Sequence, residues 1–374
     1  MKIILIICGL IFVNLPVNAY ESFSIGEKRI LTSDILGADR PYIVGLPASY
    51  DNDTYYPRRY PVLYILDGEI HFHAASGVIN HMSNPDNYGN MRIPEMIVVA
   101  ISNTKGRLHD LTPNNSKLNF KGEKTDRMLT SGGGVKFLQF IEKELIPEIE
   151  KNYRTIPHRT FVGHSLGGLT VLHSFLTQPE LYQNYIAIDS SLWWDHNIMS
   201  KWVADFVAEK KDVKAKIFMS VADHKTTGVF PSFVGMTVSN KFFAETLQES
   251  SSPDLKVKMQ VFPGQDHSSV PLLSLYHGLT YVFKGYKPTP EILMGGAAAL
   301  SAHYKDFSQD AGMIFLPPEN LVDLIVKVQA ELFGFTDETV RGYLELNVAN
   351  YPNSAHARKQ LAEYQEKKKK ASSK

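Results

Sequence analysis

Short apolar runs recur along the first three quarters of the chain, each bounded by proline, glycine or acidic residues. "RPYIVGLPASY" (Arg40–Tyr50) reads as a strand ending at Pro47, and "YPVLYILDG" (Tyr60–Gly68) and "MIVVAIS" (Met96–Ser102) follow. "RTFVGHS" (Arg159–Ser165), "YIAIDSS" (Tyr185–Ser191), "KIFMSVAD" (Lys216–Asp223) and "KVKMQVFPG" (Lys256–Gly264) continue the series. Runs apolar at successive positions predict strands buried on both faces, as in a parallel sheet. The intervening segments change period. Phe137, Phe140, Ile141, Leu145 and Ile149 share one helical stripe, and "LGGLTVLHSFL", "NKFFAETLQES" and "PLLSLYHGLTYVF" each follow a strand. This alternation predicts an α/β fold with a mostly parallel central sheet, helices on both faces, and ligands beyond the carboxyl ends of the strands.

The pattern changes after Tyr286. "KPTPEI" reads as a linker, because Pro288 and Pro290 disfavour helix around them. Beyond it no strand series continues. Leu321, Leu324, Ile325 and Val328 form one helical stripe, Val340, Tyr343, Leu344 and Val348 another, and Asn353-Ser354 is placed to cap a third helix. The expected division is a catalytic domain over 20–286 and a small all-helical appendage over 287–374. One helix pair cannot bury its own face, so the appendage is expected to pack on the main domain, with a protein partner also open to it.

The amino terminus bears on compartment. Met1-Lys2 precedes "IILIICGLIFVNLPV", and small residues lead to Ala19, the pattern of a secretory signal peptide over 1–19. A retained anchor fits less well, since the run is short and Pro16 breaks it. The mature protein is then periplasmic or secreted, with no stable membrane span. Cys8 is the single cysteine and lies inside that leader, too early for a lipidation cysteine. The mature chain would lack thiol nucleophiles and disulfides and depend on core packing. Lys and Arg total 39 and Asp and Glu 39, so no overall field points to nucleic acid. The basic run Lys367–Lys370 reads as a solvated helix end.

Against this background "FVGHSLGGLT" (Phe161–Thr170) carries the chemistry. Gly163-His164-Ser165-Leu166-Gly167 matches G-x-S-x-G between a buried strand and an apolar helix, the setting of a nucleophile elbow. There a serine hydroxyl stands at a helix amino terminus, and the Leu166 N–H can donate to an oxyanion. A second donor is expected from Gly68 or Glu69 in "LDGEIHF". The base expected is His267 in "FPGQDHSSV", after the last strand; His277, His303 and His356 lie in helical runs or the appendage. For the acid, Asp223 at the end of "IFMSVAD" is the first candidate. Asp195 is a second, Asp266 is adjacent in sequence but aimed elsewhere, and a Ser–His dyad without an acid stays open. Trp193 and Trp194 read equally as a substrate wall or as core aromatics. Glu69, His71, His73 and His81 match no strong metal signature, so no metal and no organic cofactor is expected.

Several segments together resemble a known family. "YPVLYILDGEIHF", "MIVVAISNTKGRLHDLTP", "FLQFIEKELIPEIEKNYRT", "FVGHSLGGL", "IDSSLWWD" and "FPGQDHSSVPLLSLYHGL" are similar, in that order, to the putative-esterase branch of the α/β-hydrolases. That branch includes siderophore trilactone esterases, with feruloyl, acetyl-xylan and S-formylglutathione hydrolases in related groups. The resemblance spans about Arg40–Lys287 and implies an α/β-hydrolase fold, Ser165 as nucleophile and His267 as base. "NVANYPNSAHARKQLAEY" resembles the lone tetratricopeptide-like extension of some members. His109 stands where many relatives have arginine, which weakens the siderophore assignment, and Lys225 where some carry a carboxylate. Proline, which many relatives place within "IDSSLWW", is missing here. The implied function is a secreted or periplasmic serine esterase acting on a small-molecule ester, a siderophore-type ester among the candidates. A thioesterase, an acyltransferase and a binding scaffold are the alternatives.

Overall fold

The structure is a computed structural model that describes residues 23–84, 90–103, 105–119, 121–224, 234–332 and 334–373. The expected leader over 1–19 and the position of Lys225 lie outside the described residues. Eight strands form one sheet: β1 (Glu27–Ser33), β2 (Ala38–Gly45), β3 (Tyr60–Leu66), β4 (Ile97–Ile101), β5 (Thr155–His164), β6 (Asn184–Ile188), β7 (Ala215–Ala222) and β8 (Leu255–Phe262). Their spatial order is β1-β2-β4-β3-β5-β6-β7-β8. β1 and β2 pair antiparallel at one edge, and every pairing from β4 through β8 is parallel. This mostly parallel sheet with helices on both faces is the α/β architecture that the alternating pattern predicts and the arrangement that the family resemblance implies.

The unbroken apolar runs form the interior of the sheet. β3, β4, β6 and β7 are buried at every position. Helices then cover both faces, and the apolar side chains divide into two cores, one on each face. β1 has no counterpart in the apolar-run reading. It is Glu-Lys-Arg-Ile-Leu-Thr-Ser, mostly exposed, and the charges that hide it from a hydrophobic reading are those expected on an unpaired sheet edge.

Parallel strands deliver the residues after them to one edge of the sheet. Asp67 follows β3, Ser165 follows β5, Asp189 follows β6, Asp223 and His224 follow β7, and His267 comes five residues after β8. The chemistry therefore gathers beyond the strands' carboxyl ends.

The C-terminal helices join the second core. Leu300, Tyr304, Phe307, Phe315 and Leu321 pack in one cluster with Phe283 and Tyr286, and with Ile186 and Phe218 of the sheet. Asp310 forms ion pairs with both Lys216 and Lys256, near the amino ends of β7 and β8. Glu319 accepts from the Tyr56 backbone N–H at 2.6 Å, and Asp323 from the Tyr55 hydroxyl at 3.1 Å. Ser354 caps the last helix, Ala355–Ser372, by accepting from the Ala357 N–H at 3.1 Å. Among the described residues no helix is long and apolar enough to cross a membrane.

Candidate active site

The elbow is built by steric exclusion. Ser165 sits at φ 61°, ψ −118°, a conformation that costs a non-glycine residue energy and that the surroundings must hold in place. Its N–H donates to the Ile188 carbonyl at 2.9 Å, and its carbonyl accepts from the Ser191 N–H at 3.0 Å, pinning the turn to the end of β6. Helix Leu166–Thr177 starts immediately afterwards. A methyl group on Gly163 would lie 2.3 Å from the Gly167 carbonyl oxygen, and one on Gly168 would lie 2.5 Å from Ser190 Oγ. The first of these contacts is with backbone and cannot relax cheaply. Gly163→Ala is therefore expected to destabilise the fold by about 2 kcal/mol or more, read as a lower urea midpoint at unchanged m-value.

His267 reaches this serine. Its Nε2 lies 3.1 Å from Ser165 Oγ, and its Nδ1 lies 2.6 Å from Asp189 Oδ2. The carboxylate at the imidazole is thus that of Asp189, and the expectation for Asp223 is corrected. Asp223 comes at the end of β7, where its N–H donates to the Gln265 carbonyl at 3.1 Å. The reason lies in the turn after β6. Asp189 takes a left-handed conformation, φ 43°, and its N–H donates to the Ser220 carbonyl at 2.7 Å. That bend sends the side chain under the His267 loop, one strand earlier than the sequence reading placed the acid.

The other acid candidates are held elsewhere. Asp195 accepts from Asn114 and, at 3.0 Å, from Ser116. Asp266 accepts from the Ser268 and Ser269 N–H groups, both at 2.9 Å, and so closes its own turn.

Asp189 is wholly buried. Burial alone would raise its carboxyl, but hydrogen bonds from His224 and His267 outweigh that and hold it well below the usual carboxylate range. His224 Nε2 lies 2.9 Å from Asp189 Oδ1, and the Ala222 N–H donates to the same oxygen at 3.2 Å. Ser191 Oγ stands 3.3 Å from Ser165 Oγ. The sequence singles out none of Asp189, Ser191 and His224 as a site residue. The available signal for Asp189 is a charged residue immediately after the apolar run Tyr185–Ile188, on the strand next to the elbow strand.

The turn after β3 lies against the elbow. A methyl group on Gly167 would sit 3.4 Å from Leu66 Cβ and 3.5 Å from Asp67 Oδ2. Asp67 is left-handed, φ 53°, and Arg107 grips its carboxylate through Nε at 2.7 Å and Nη2 at 2.9 Å. Gly68 and Glu69 are the first two residues of helix Gly68–Ser83, where N–H groups have no partner within the helix. A side chain on Gly68 would collide with the backbone of Ala100 at 2.7 Å.

The two tryptophans separate. Trp194 has no exposed surface, and its Nε1–H donates to Asn114 Oδ1 at 3.1 Å, so of its two readings the core aromatic holds and its place as a substrate-pocket residue is corrected. Trp193 is half-buried and packs against that core. For metal binding, His164, Asp189 and His267 offer atoms within 4.8 Å of one another, but the last two are already hydrogen-bonded. Among the described residues, Glu69, His71, His73 and His81 form no such group. His71 instead meets His164 edge-on at 5.8 Å.

The chain is 29% identical over 228 residues to the ferri-bacillibactin esterase BesA of Bacillus subtilis, covering 57% of this chain and 75% of that protein. It is 25% identical over 246 residues to the siderophore triacetylfusarinine C esterase of Aspergillus fumigatus, covering 60% and 82%. Among solved structures, an IroE-like serine hydrolase from Shewanella oneidensis superposes with a TM-score of 0.76 at 28% identity, over 86% of this chain and 98% of that one. The family described as "Putative esterase" matches residues 33–270, from the end of β1 to the first residue of the helix after His267. With the sheet, the elbow and both ends of the match enclosing the site, the chain belongs to that esterase family.

Proposed function

We propose that this protein is an exported serine esterase that hydrolyses a carboxylic ester through an acyl-enzyme on Ser165. One observation carries the reading: Ser165 Oγ, both nitrogens of His267 and a buried Asp189 carboxylate lie in a single hydrogen-bonded line. In the mechanism this supports, Nδ1–H of His267 donates to Asp189, which leaves Nε2 unprotonated and facing the hydroxyl. As Ser165 Oγ attacks the ester carbonyl, Nε2 takes its proton, and Asp189 stabilises the imidazolium. The oxyanion is held by the Leu166 N–H and by Gly68 or Glu69. His267 then protonates the leaving alcohol, activates a water against the acyl-enzyme, and returns the proton to Ser165.

The substrate class assigned is a siderophore-type ester, on the strength of the two relatives named as siderophore esterases. The export assignment rests on the leader over 1–19.

The test combines turnover with labelling. The purified protein is expected to hydrolyse p-nitrophenyl esters and at least one siderophore ester, and a fluorophosphonate probe is expected to attach to the peptide containing Ser165. A label that maps to another serine, or failure to turn over any ester, sinks the reading.

A further inference from the structure

The carboxylate of Asp189 is shared between two imidazoles, and only one of them faces the serine. Oδ2 accepts from His267 at 2.6 Å. Oδ1 accepts from His224 Nε2 at 2.9 Å and from the Ala222 N–H at 3.2 Å. His224 is itself buried, 4% exposed, and comes just past the end of β7. The two imidazole rings stand 6.4 Å apart, with the carboxylate bridging them. We propose that His224 is a positioning residue for hydrolysis, whose Nε2–H locks the Asp189 carboxylate so that Oδ2 stays in line with His267 Nδ1. This rests on the reading of Ser165, His267 and Asp189 as a hydrolytic unit.

An aspartate carboxylate turns about a broad, roughly two-fold torsion, so one hydrogen bond to one oxygen leaves its plane poorly defined. The two carboxylate oxygens are covalently rigid relative to each other. A donor that fixes Oδ1 therefore fixes Oδ2. The Ala222 N–H alone, at 3.2 Å, is the longer of the two bonds on Oδ1. His224 also takes part of the carboxylate's charge, which leaves less to stabilise the imidazolium that forms on His267 during the reaction. Among the described residues, other charged or titratable groups near His267 include His164 on β5, at 4.4 Å between rings, and Asp266 on its own loop. Arg107 stands behind His164, 3.5 Å from its carbonyl.

A histidine that merely fills a buried site would matter to folding alone, so the test reads turnover and its pH dependence on the full chain. His224→Phe keeps a ring and loses the donor. It is expected to lower kcat on a p-nitrophenyl ester by up to roughly 10²-fold with KM within about threefold, since misplacement of this size acts on the chemical step. The acid limb of its kcat/KM profile is expected to move to higher pH. His224→Gln carries an N–H of similar reach and is expected to restore kcat to within about fivefold of wild type, with the limb back in place. Should His224→Phe fail to fold, His224→Asn, too short to reach Oδ1, takes its place with the same expectation. Wild-type kcat and an unmoved limb in a folded His224→Phe or His224→Asn protein would overturn the proposal. Equal losses in the Gln and Phe variants would overturn it too. A wild-type protein inert toward every ester is a separate result, which sinks the esterase reading itself.

Discussion

Ser165→Ala is expected to lower kcat for ester hydrolysis by at least roughly 10⁴-fold, and Asp189→Asn by roughly 10³–10⁴-fold. The second loss follows from tautomers. An asparagine at 189 can turn its NH₂ toward His267 Nδ1, which then accepts, so the ring proton moves to Nε2. Nε2–H would face Ser165 Oγ across the 3.1 Å gap and could no longer take the hydroxyl proton. Asp223→Asn is expected to stay within a few-fold of wild type, because the position at Nδ1 is filled by Asp189. The double variant Ser165→Ala/Asp189→Asn should be no slower than Ser165→Ala alone. Once the nucleophile is gone, the remaining rate comes from the oxyanion donors and binding, which Asp189 does not serve. Steady-state kinetics on a p-nitrophenyl ester, with far-UV circular dichroism to establish folding, decide the matter. A large loss in Asp223→Asn together with a small one in Asp189→Asn would reverse the assignment.

How far the chain announces this site can be read residue by residue. β3, β4, β6 and β7 are legible because burial on both faces demands continuous apolar runs, and the elbow because only glycine tolerates the contact at Gly163. His267 is legible from its place after the last strand. Asp189 was not, because what selects it is backbone conformation: φ 43° at a non-glycine residue, fixed by a hydrogen bond to Ser220 on the neighbouring strand. No local pattern encodes such a bend. The sequence leaves Trp194 open between pocket wall and core for a related reason. Its indole N–H finds Asn114 from a distant loop, which allows a polar-tipped aromatic to be fully buried. The C-terminal helices are legible as helices, but not the depth of their union with the sheet. Deleting 287–374 would uncover Phe283 and Tyr286, so truncation tests the shared core before it tests any partner.

That shared core also carries an acid-sensitive element, and stability is expected to fall by about 4 kcal/mol or more between pH 6.5 and pH 4.5. His158 on β5 has its ring between Phe283, at 5.6 Å, and Phe315 of the C-terminal segment, at 5.3 Å, and its Nδ1 is buried without a hydrogen-bond partner. Burial, aided by the charge of Lys216, pushes it down to about 3. His173 is buried beside Trp202, and burial pushes it down to about 4. In the unfolded chain both regain an ordinary value near 6.5 and bind a proton that the folded state refuses. Stability from these groups is therefore full above pH 6.5 and lost as pH falls toward 4 and 3. Each contributes about 2 kcal/mol of loss over the stated window. His164 is pushed down to about 3 by burial and by His267, its Nε2 is buried without a hydrogen-bond partner, and it adds to the loss in the same window. Asp189, held below the usual carboxylate range, acts at lower pH and leaves this window unaffected. Against a typical total of about 5–15 kcal/mol the loss is large enough to see as a steep fall in the urea midpoint. His158→Gln, which cannot take up a proton, should remove about a third to a half of the pH slope whatever it does to stability at pH 7. A midpoint that stays level from pH 6.5 to 4.5 would mean that water or a counter-charge reaches these rings in the folded protein.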